Sequence, residues 1–338
     1  MLMRIGVDLG SANIRAFTES KKIVFSSPSV VAYDSYTKKP VAMGKAALNM
    51  TGRTPDSIEI INPLKDGVIY NYDATVQMIK FFLGKISGMG VLKDDIMAAV
   101  PSTMTQLEKM AVMDAFSDAG AGRICLISGS MAAALGSGIS MKEPRGTMFV
   151  DIGAGSVDSA VVTMGDIAVS ESVKTGSDDV TADIIKYLKR ERDIDVGWLT
   201  ADDIKKKIAG AVKRNEAVAL IAKGKNAISQ TPISFEITST EIYFAVKDRV
   251  DSLLNSVRKV FSVTPPELTA DIFDTGIVLT GGGALLYGID EYIEKSTGIK
   301  TTIADDAENC VIRGVGNALK DLKYLRKNGY IFKSGETD

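Results

Sequence analysis

Residues 5–17 and 149–162 repeat one pattern, and it restricts the possible folds more than any other feature of the chain. In the later copy, FVDIGAGSVDSAVV, the strand-like residues Phe149, Val150 and Ile152 carry a single carboxylate, Asp151. Gly153, Ala154, Gly155 and the hydroxyl of Ser156 follow, and strand character resumes at 160–162. The run reads as a strand, a tight turn and a second strand, with glycine where the backbone bends sharply or lets a ligand come close. Successive N–H groups in such a turn form a nest for an anion. Asp151 beside that nest would repel a bare phosphate, so the arrangement makes sense with a divalent cation between them, Mg²⁺ keeping its waters. The earlier copy, IGVDLGSANIRAF, has Ile5 and Val7 in strand, then Asp8, Gly10, Ser11, Ala12 and Asn13, and strand again from Ile14. A further strand pattern follows each copy, at 22–25 and 167–170, and the two aspartates lie about 140 residues apart, the size of one domain. The chain therefore reads as a duplicated domain whose halves clamp phosphates between two hairpins.

GIVLTGGGALL at 276–286 supplies a third wall. A buried-strand run (Ile277, Val278, Leu279, Thr280) ends in Gly281, Gly282 and Gly283 and opens a helix-like stretch through Ala284 and Leu285. Three glycines let the flat part of a ligand lie on bare backbone, and a following helix N-terminus favours negative charge. The same glycines also suit a plain helix–strand packing turn.

In this order and spacing the three motifs resemble the superfamily of actin, heat-shock chaperone and sugar kinase ATPases, and more closely the MreB family of bacterial actins. The likeness runs nearly end to end, through GVDLGSAN, PSVVAY at 28–33, GRTPDSI at 52–58, PLKDGVI at 63–69, VPSTMTQLEK at 100–109, LTADDIK at 199–205 and GIVLTGGGALLYGID. It implies an α/β actin-like ATPase fold: two duplicated RNase H-like domains with smaller inserted subdomains and a nucleotide cleft between them. The implied bounds are 1–145 with an insert at about 31–65, 146–309 with an insert at about 178–240, and 310–338 as a C-terminal helix and tail returning to the first domain. ATP or ADP with Mg²⁺ would lie between the hairpins and the triple glycine, Asp8 and Asp151 meeting the metal through water. In the family an acid and a lysine beyond the second hairpin reach the adenosine. The matching residues are Asp202 and Lys205, with Lys206 beside them, although on their own they read as a solvated charged face.

Composition agrees with this reading without producing it. Lys plus Arg, 40, nearly balances Asp plus Glu, 42, so nothing points to nucleic acid. The chain has no histidine, which excludes Ser-His-Asp and Cys-His catalysis and any His-ligated metal. Cys125 and Cys310 sit singly in apolar contexts and read as buried thiols of a reducing cytoplasm. Residues 1–4 leave no room for a signal peptide, and no uncharged apolar run reaches the length of a membrane span.

Between the motifs, strands are expected around Val30 and Val41 and at 96–100 and 123–127, with a hairpin tip at 224–237. Helices are expected at 45–51, 73–84 with Asp73 as N-cap, 105–119, 130–136, 178–192, 199–214 with Thr200 as N-cap, 240–261 and 310–325.

The chain departs from the family where hydrolysis would be run. Members carry Ile-Glu-Glu-Pro before a Met-Ala-Ala-Ala helix to orient the attacking water; here the residues are Ile127, Ser128, Gly129, Ser130 and Met131. A serine can hold a water but cannot take its proton near neutral pH, and losing a positioned base typically costs about 10²- to 10⁴-fold in rate. The second hairpin, Gly-Gly-Gly-Thr-Thr-Glu in the family, is Gly153, Ala154, Gly155, Ser156, Val157 and Asp158, and a Gly-Gly-Asp stretch is Gly176, Ser177 and Asp178. Ser156 keeps a hydroxyl. Nucleotide binding is expected to survive these changes and hydrolysis to be slow.

The resemblance further implies filaments of the chain itself and of paralogous subunits, on the inner face of the cell membrane, with membrane-bound shape or motility proteins as partners. Met89, Val91 and Leu92, between Lys85 and Lys93, fall where relatives carry a membrane-inserting loop; a loop packed on its own domain is the other reading. A soluble sugar-kinase-like phosphotransferase on the same fold is the alternative, but no carboxylate presents itself as the base for an acceptor hydroxyl. A chaperone role is disfavoured because no peptide-binding domain follows residue 338.

Overall fold

The computed structural model describes residues 3–18, 22–87, 94–139, 144–321 and 329–334. The first half opens with β1 (Arg4–Leu9), β2 (Asn13–Thr18) and β3 (Lys22–Pro28), and continues through β4 (Val31–Asp34), β5 (Pro40–Met43), α1 (Lys45–Met50), β6 (Ile58–Ile61), β7 (Leu64–Lys65) and β8 (Val68–Ile69). It closes with α2 (Tyr72–Ser87), β9 (Asp95–Val100), α3 (Gln106–Asp118), β10 (Arg123–Ser128) and α4 (Gly129–Ser137). The second half starts with β11 (Thr147–Ile152), β12 (Val157–Thr163), β13 (Asp166–Val173), α5 (Ser177–Arg192), β14 (Ile194–Asp195), α6 (Trp198–Ile208), β15 (Ala219–Asn226) and β16 (Pro232–Thr238). Then come α7 (Ser239–Leu253), α8 (Asn255–Val263), α9 (Pro266–Thr275), β17 (Ile277–Thr280), α10 (Ile289–Thr297), β18 (Thr301–Ile303), α11 (Cys310–Lys320) and β19 (Lys333–Ser334).

The duplication is visible in the sheets. One sheet runs β3-β2-β1-β9-β10 with β19 added at its edge, the other β13-β12-β11-β17-β18. In each, three strands form an antiparallel meander and two more join in parallel beyond the first strand. Asp8 and Asp151 therefore occupy matching places near the C-terminal ends of central strands, where open α/β sheets bind ligands. Small three-stranded sheets, β5-β4-β6 and β14-β15-β16, ride on the respective halves.

Between the large sheets lie α4 and α11. Phe17, Met97 and Ile127 from the first sheet and Phe149, Val162 and Val278 from the second bury against Met131, Ile312, Val315 and Leu319 in one cluster. The two helices cross so closely that a Cβ on Gly314 would collide with the Ala132 carbonyl, and one on Gly136 with that of Cys310. Both cysteines are free and buried.

Several element ends differ from the sequence reading. Asn71, not Asp73, caps α2: its Oδ1 accepts from the Ala74 N–H at 2.9 Å, leaving Asp73 inside the first turn. Thr200 lies within α6, whose N-cap is Gly197, and the helix stops at Ile208 rather than 214 because Ala209 turns extended (ψ 155°). The 240–261 helix is two, α7 and α8, broken at Leu254, and α9 follows. The triple glycine runs into a 3₁₀ turn, Gly282–Leu285, capped by Gly281, and not into an α-helix. The last helix is described only to Lys320; residues 322–325, and the 88–93 stretch holding Met89, Val91 and Leu92, lie outside the described residues.

Candidate functional site

The two hairpin tips meet the β7–β8 turn at one place. Ser11 Oγ accepts from the Gly67 N–H at 3.1 Å, and a Cβ on Gly155 would stand 3.3 Å from that same oxygen and 2.8 Å from the Asp66 nitrogen. A Cβ on Gly67 would lie 3.5 Å from Ser156 Oγ. Asp66 and Gly67 both take positive φ, 52° and 79°, so this Asp-Gly turn reaches both tips.

Each tip is also held from behind. Ser29 donates its hydroxyl to the Gly10 carbonyl at 2.7 Å and its N–H to that of Ala12 at 2.9 Å. On the other side the Ser177 and Asp178 N–H groups donate to the Gly153 and Ala154 carbonyls at 3.0 and 2.9 Å. Gly176 permits this approach, since a Cβ there would strike Ala154. With the carbonyls tied back, the described residues offer no acceptor to the N–H groups of Ala12, Ala154 and Gly155. They are the kind of donors an anion nest uses.

The carboxylates differ in surroundings. Burial pushes Asp8 upward from the ordinary carboxylate range, opposed by Arg15, its cross-strand partner, whose Nη1 lies 3.5 Å from Oδ2. Burial pushes Asp151 up to about 7; a 2.8 Å hydrogen bond from the Thr280 hydroxyl opposes this, while Asp158 and Asp8 add to it. Asp8 and Asp151 thus sense each other across the space between the halves. Asp158, opposite Asp151 in register, is itself raised by burial, takes a 3.0 Å bond from Ser156 Oγ, and keeps Oδ1 buried without a partner.

The remaining expected residues fall around this point. Lys205 Nζ reaches the Ser177 carbonyl at 3.0 Å and Asp202 at 2.9 Å, and Lys206 reaches Asp202 at 2.6 Å. Burial raises Asp202, but the two lysines outweigh it and hold it below the usual range. Asp178 is pushed up to about 6 by burial, Lys205 opposing and Asp202 adding. In the triple glycine, Gly281 (φ 82°) and Gly283 are required by protein packing, because a Cβ on either would collide with Ile152; Gly282 and Leu285 are exposed and Ala284 is buried.

Asp8 and Asp151 suit Mg²⁺. They are hard oxygen donors, half-buried, whose charge is only partly compensated, and among the described residues no group of three acids or other ligating side chains could cage a metal alone. That suits an ion that keeps several waters and takes its other ligands from phosphate.

The MreB/Mbl protein family model matches residues 2–327. The chain belongs to the MreB/Mbl family. The cell shape-determining protein Mbl of Bacillus subtilis is 37% identical over 326 residues, covering 96% of this chain and 97% of Mbl. The crystal structure of MreB5 of Spiroplasma citri bound to AMPPNP superposes with a TM-score of 0.92 at 34% identity, over 97% of this chain and 99% of that one. A MamK double helical filament, at 18% identity and a TM-score of 0.78 over 95% of this chain and 100% of that one, shares the fold.

At the two positions where an MreB/Mbl member is expected to carry glutamates, this chain has Ser128 and Gly129. Ser128 is the N-cap of α4, yet its side chain caps nothing; it lies 2.6 Å from Ser102 Oγ, which also lies 2.8 Å from Ser130 Oγ. Gly129 has room, since a Cβ there would meet only the Val100 backbone, nearest at 3.4 Å. Sequence reading missed Arg15, Asp66, Ser102 and Thr280. The Asp66-Gly67 dipeptide was the one local signal for a turn; the others emerge only from strand pairing.

Proposed function

We propose that this chain is an ATP-binding, actin-like cytoskeletal protein that polymerises into filaments and organises cell shape, or motility in a cell without a wall. The observation that carries the reading is the apposition of the two hairpin tips, each with free N–H donors and an aspartate behind them. Phosphates between the tips would take the N–H groups of Ala12, Ala154 and Gly155, and Ser11 and Ser156 would flank them. Mg²⁺, held through water by Asp8 and Asp151, would neutralise phosphate charge. Lys205 and Asp202, with Asp178 beside them, would reach the nucleoside, and the exposed Gly282 would offer it bare backbone. MreB5 of Spiroplasma citri has been solved with AMPPNP and with ADP, which supports the same ligand class here.

Self-assembly follows from family membership, and the filament named for MamK supports it for the fold. No helix among the described residues is long and apolar enough to cross a membrane. Placement on the inner membrane face rests on the 85–93 sequence and the family alone. Sedimentation of the full chain with and without Mg-ATP tests the reading: pelletable polymer is expected, and a soluble protein that phosphorylates a sugar would overturn it.

A further inference from the structure

The serines around α4 form a connected unit. Ser102 follows β9, Ser128 ends β10 and Ser130 lies in the first turn of α4, so three separate backbone positions bring their hydroxyls together. Ser130 is buried, while Ser102 and Ser128 are partly open. Ser102 is the hub, bonded to both of the others. The unit borders the point where the hairpins meet: Pro101, next to Ser102, would stand 2.8 Å from a Cβ on Gly67, whose next neighbour is Ser156 Oγ.

An isolated serine hydroxyl rotates freely, whereas one tied to a neighbour has its remaining lone pair and proton directed. Ser102 uses its hydroxyl on Ser128 and Ser130, and Ser128 keeps capacity for one more partner on its open side. We propose that Ser102 is a positioning residue for slow nucleotide hydrolysis, fixing the Ser128 hydroxyl so that it holds the attacking water beside the terminal phosphate. This rests on the nucleotide-binding reading above. The water oxygen bonds to the terminal phosphorus as the bond from that phosphorus to the bridging oxygen breaks. ADP departs, and the surplus proton goes to the released phosphate, because serine is too weak a base to accept it.

The test is ADP formation from Mg-ATP by the full chain, followed chromatographically over hours, with ADP affinity measured separately by calorimetry. Ser102→Ala is expected to lower the rate at saturating ATP by about tenfold or more, the scale of losing orientation, with ADP affinity changed by less than about threefold. Ser102→Thr, which keeps the hydroxyl, is expected to stay within about threefold of the wild type. An unchanged rate in Ser102→Ala, a parallel loss of ADP affinity, or a wild type with bound nucleotide and no turnover would overturn the proposal. No nucleotide uptake by the wild type would remove the functional reading and this proposal with it.

Discussion

Asp151, half-buried, and Asp158, buried, stand opposite each other across the second hairpin, at the register position that Asp8 and Arg15 fill in the first. The duplication is therefore electrically lopsided: one aspartate has an internal cation and the other a second acid. Burial raises both Asp151, to about 7, and Asp158, so the folded, nucleotide-free protein holds these protons more tightly than the unfolded chain does. That stability is fully present below the ordinary carboxylate range and is lost as pH rises through the folded values. Urea denaturation of the nucleotide-free protein should show stability falling by on the order of 1–3 kcal/mol between about pH 4 and pH 7.5, and Asp151→Asn should flatten the slope.

Gly155 tests the contact between the tips. Its missing Cβ would lie 2.8 and 2.9 Å from the backbone of Asp66, which cannot swing away as a side chain could. Gly155→Ala should push the tips apart and weaken ADP binding by calorimetry about tenfold or more, with unfolding free energy falling by roughly 1–3 kcal/mol.

Gly129→Glu adds the carboxylate that the serine cluster lacks, at the first residue of α4, where negative charge is favoured by the helix dipole. The hydrolysis rate should rise by about 10- to 100-fold, short of a native base because the neighbouring proline is absent too, with ADP affinity within about threefold. An unchanged rate would mean that the missing base does not limit turnover.

Gly314 tests the joint between the halves. Its Cβ would strike the Ala132 carbonyl where α11 crosses α4, and neither helix can shift without opening the core between the two sheets. Gly314→Ala should cost about 3 kcal/mol or more in urea denaturation, far beyond its effect on an exposed helix.

What was legible in the sequence was whatever chemistry ties to fixed offsets. The hairpins could be read because Asp8 and Gly10, like Asp151 and Gly153, must sit two residues apart for strand and turn to join. Arg15 and Asp158 could not, because their meaning lies in cross-strand register, which a local reading does not contain. Glycines were ambiguous for a physical reason: a bare backbone serves a ligand or a neighbouring side chain equally, and at Gly281 and Gly283 the neighbour is Ile152. The break in the 240–261 helix was hidden because Leu254 keeps near-helical dihedrals (φ −76°, ψ −5°), so apolar spacing runs through it. In α6 the charged pattern of 205–214 continues past the true end, and only Gly210 hinted at a stop.

Calorimetric titration of the full chain with ADP, in magnesium buffer and again with the magnesium chelated, asks most directly whether the two aspartate-headed hairpins hold a metal–nucleotide complex. One ADP per chain is predicted, weakened about tenfold or more by chelation and by Asp8→Ala alike. No uptake, or uptake indifferent to both magnesium and Asp8, would contradict it.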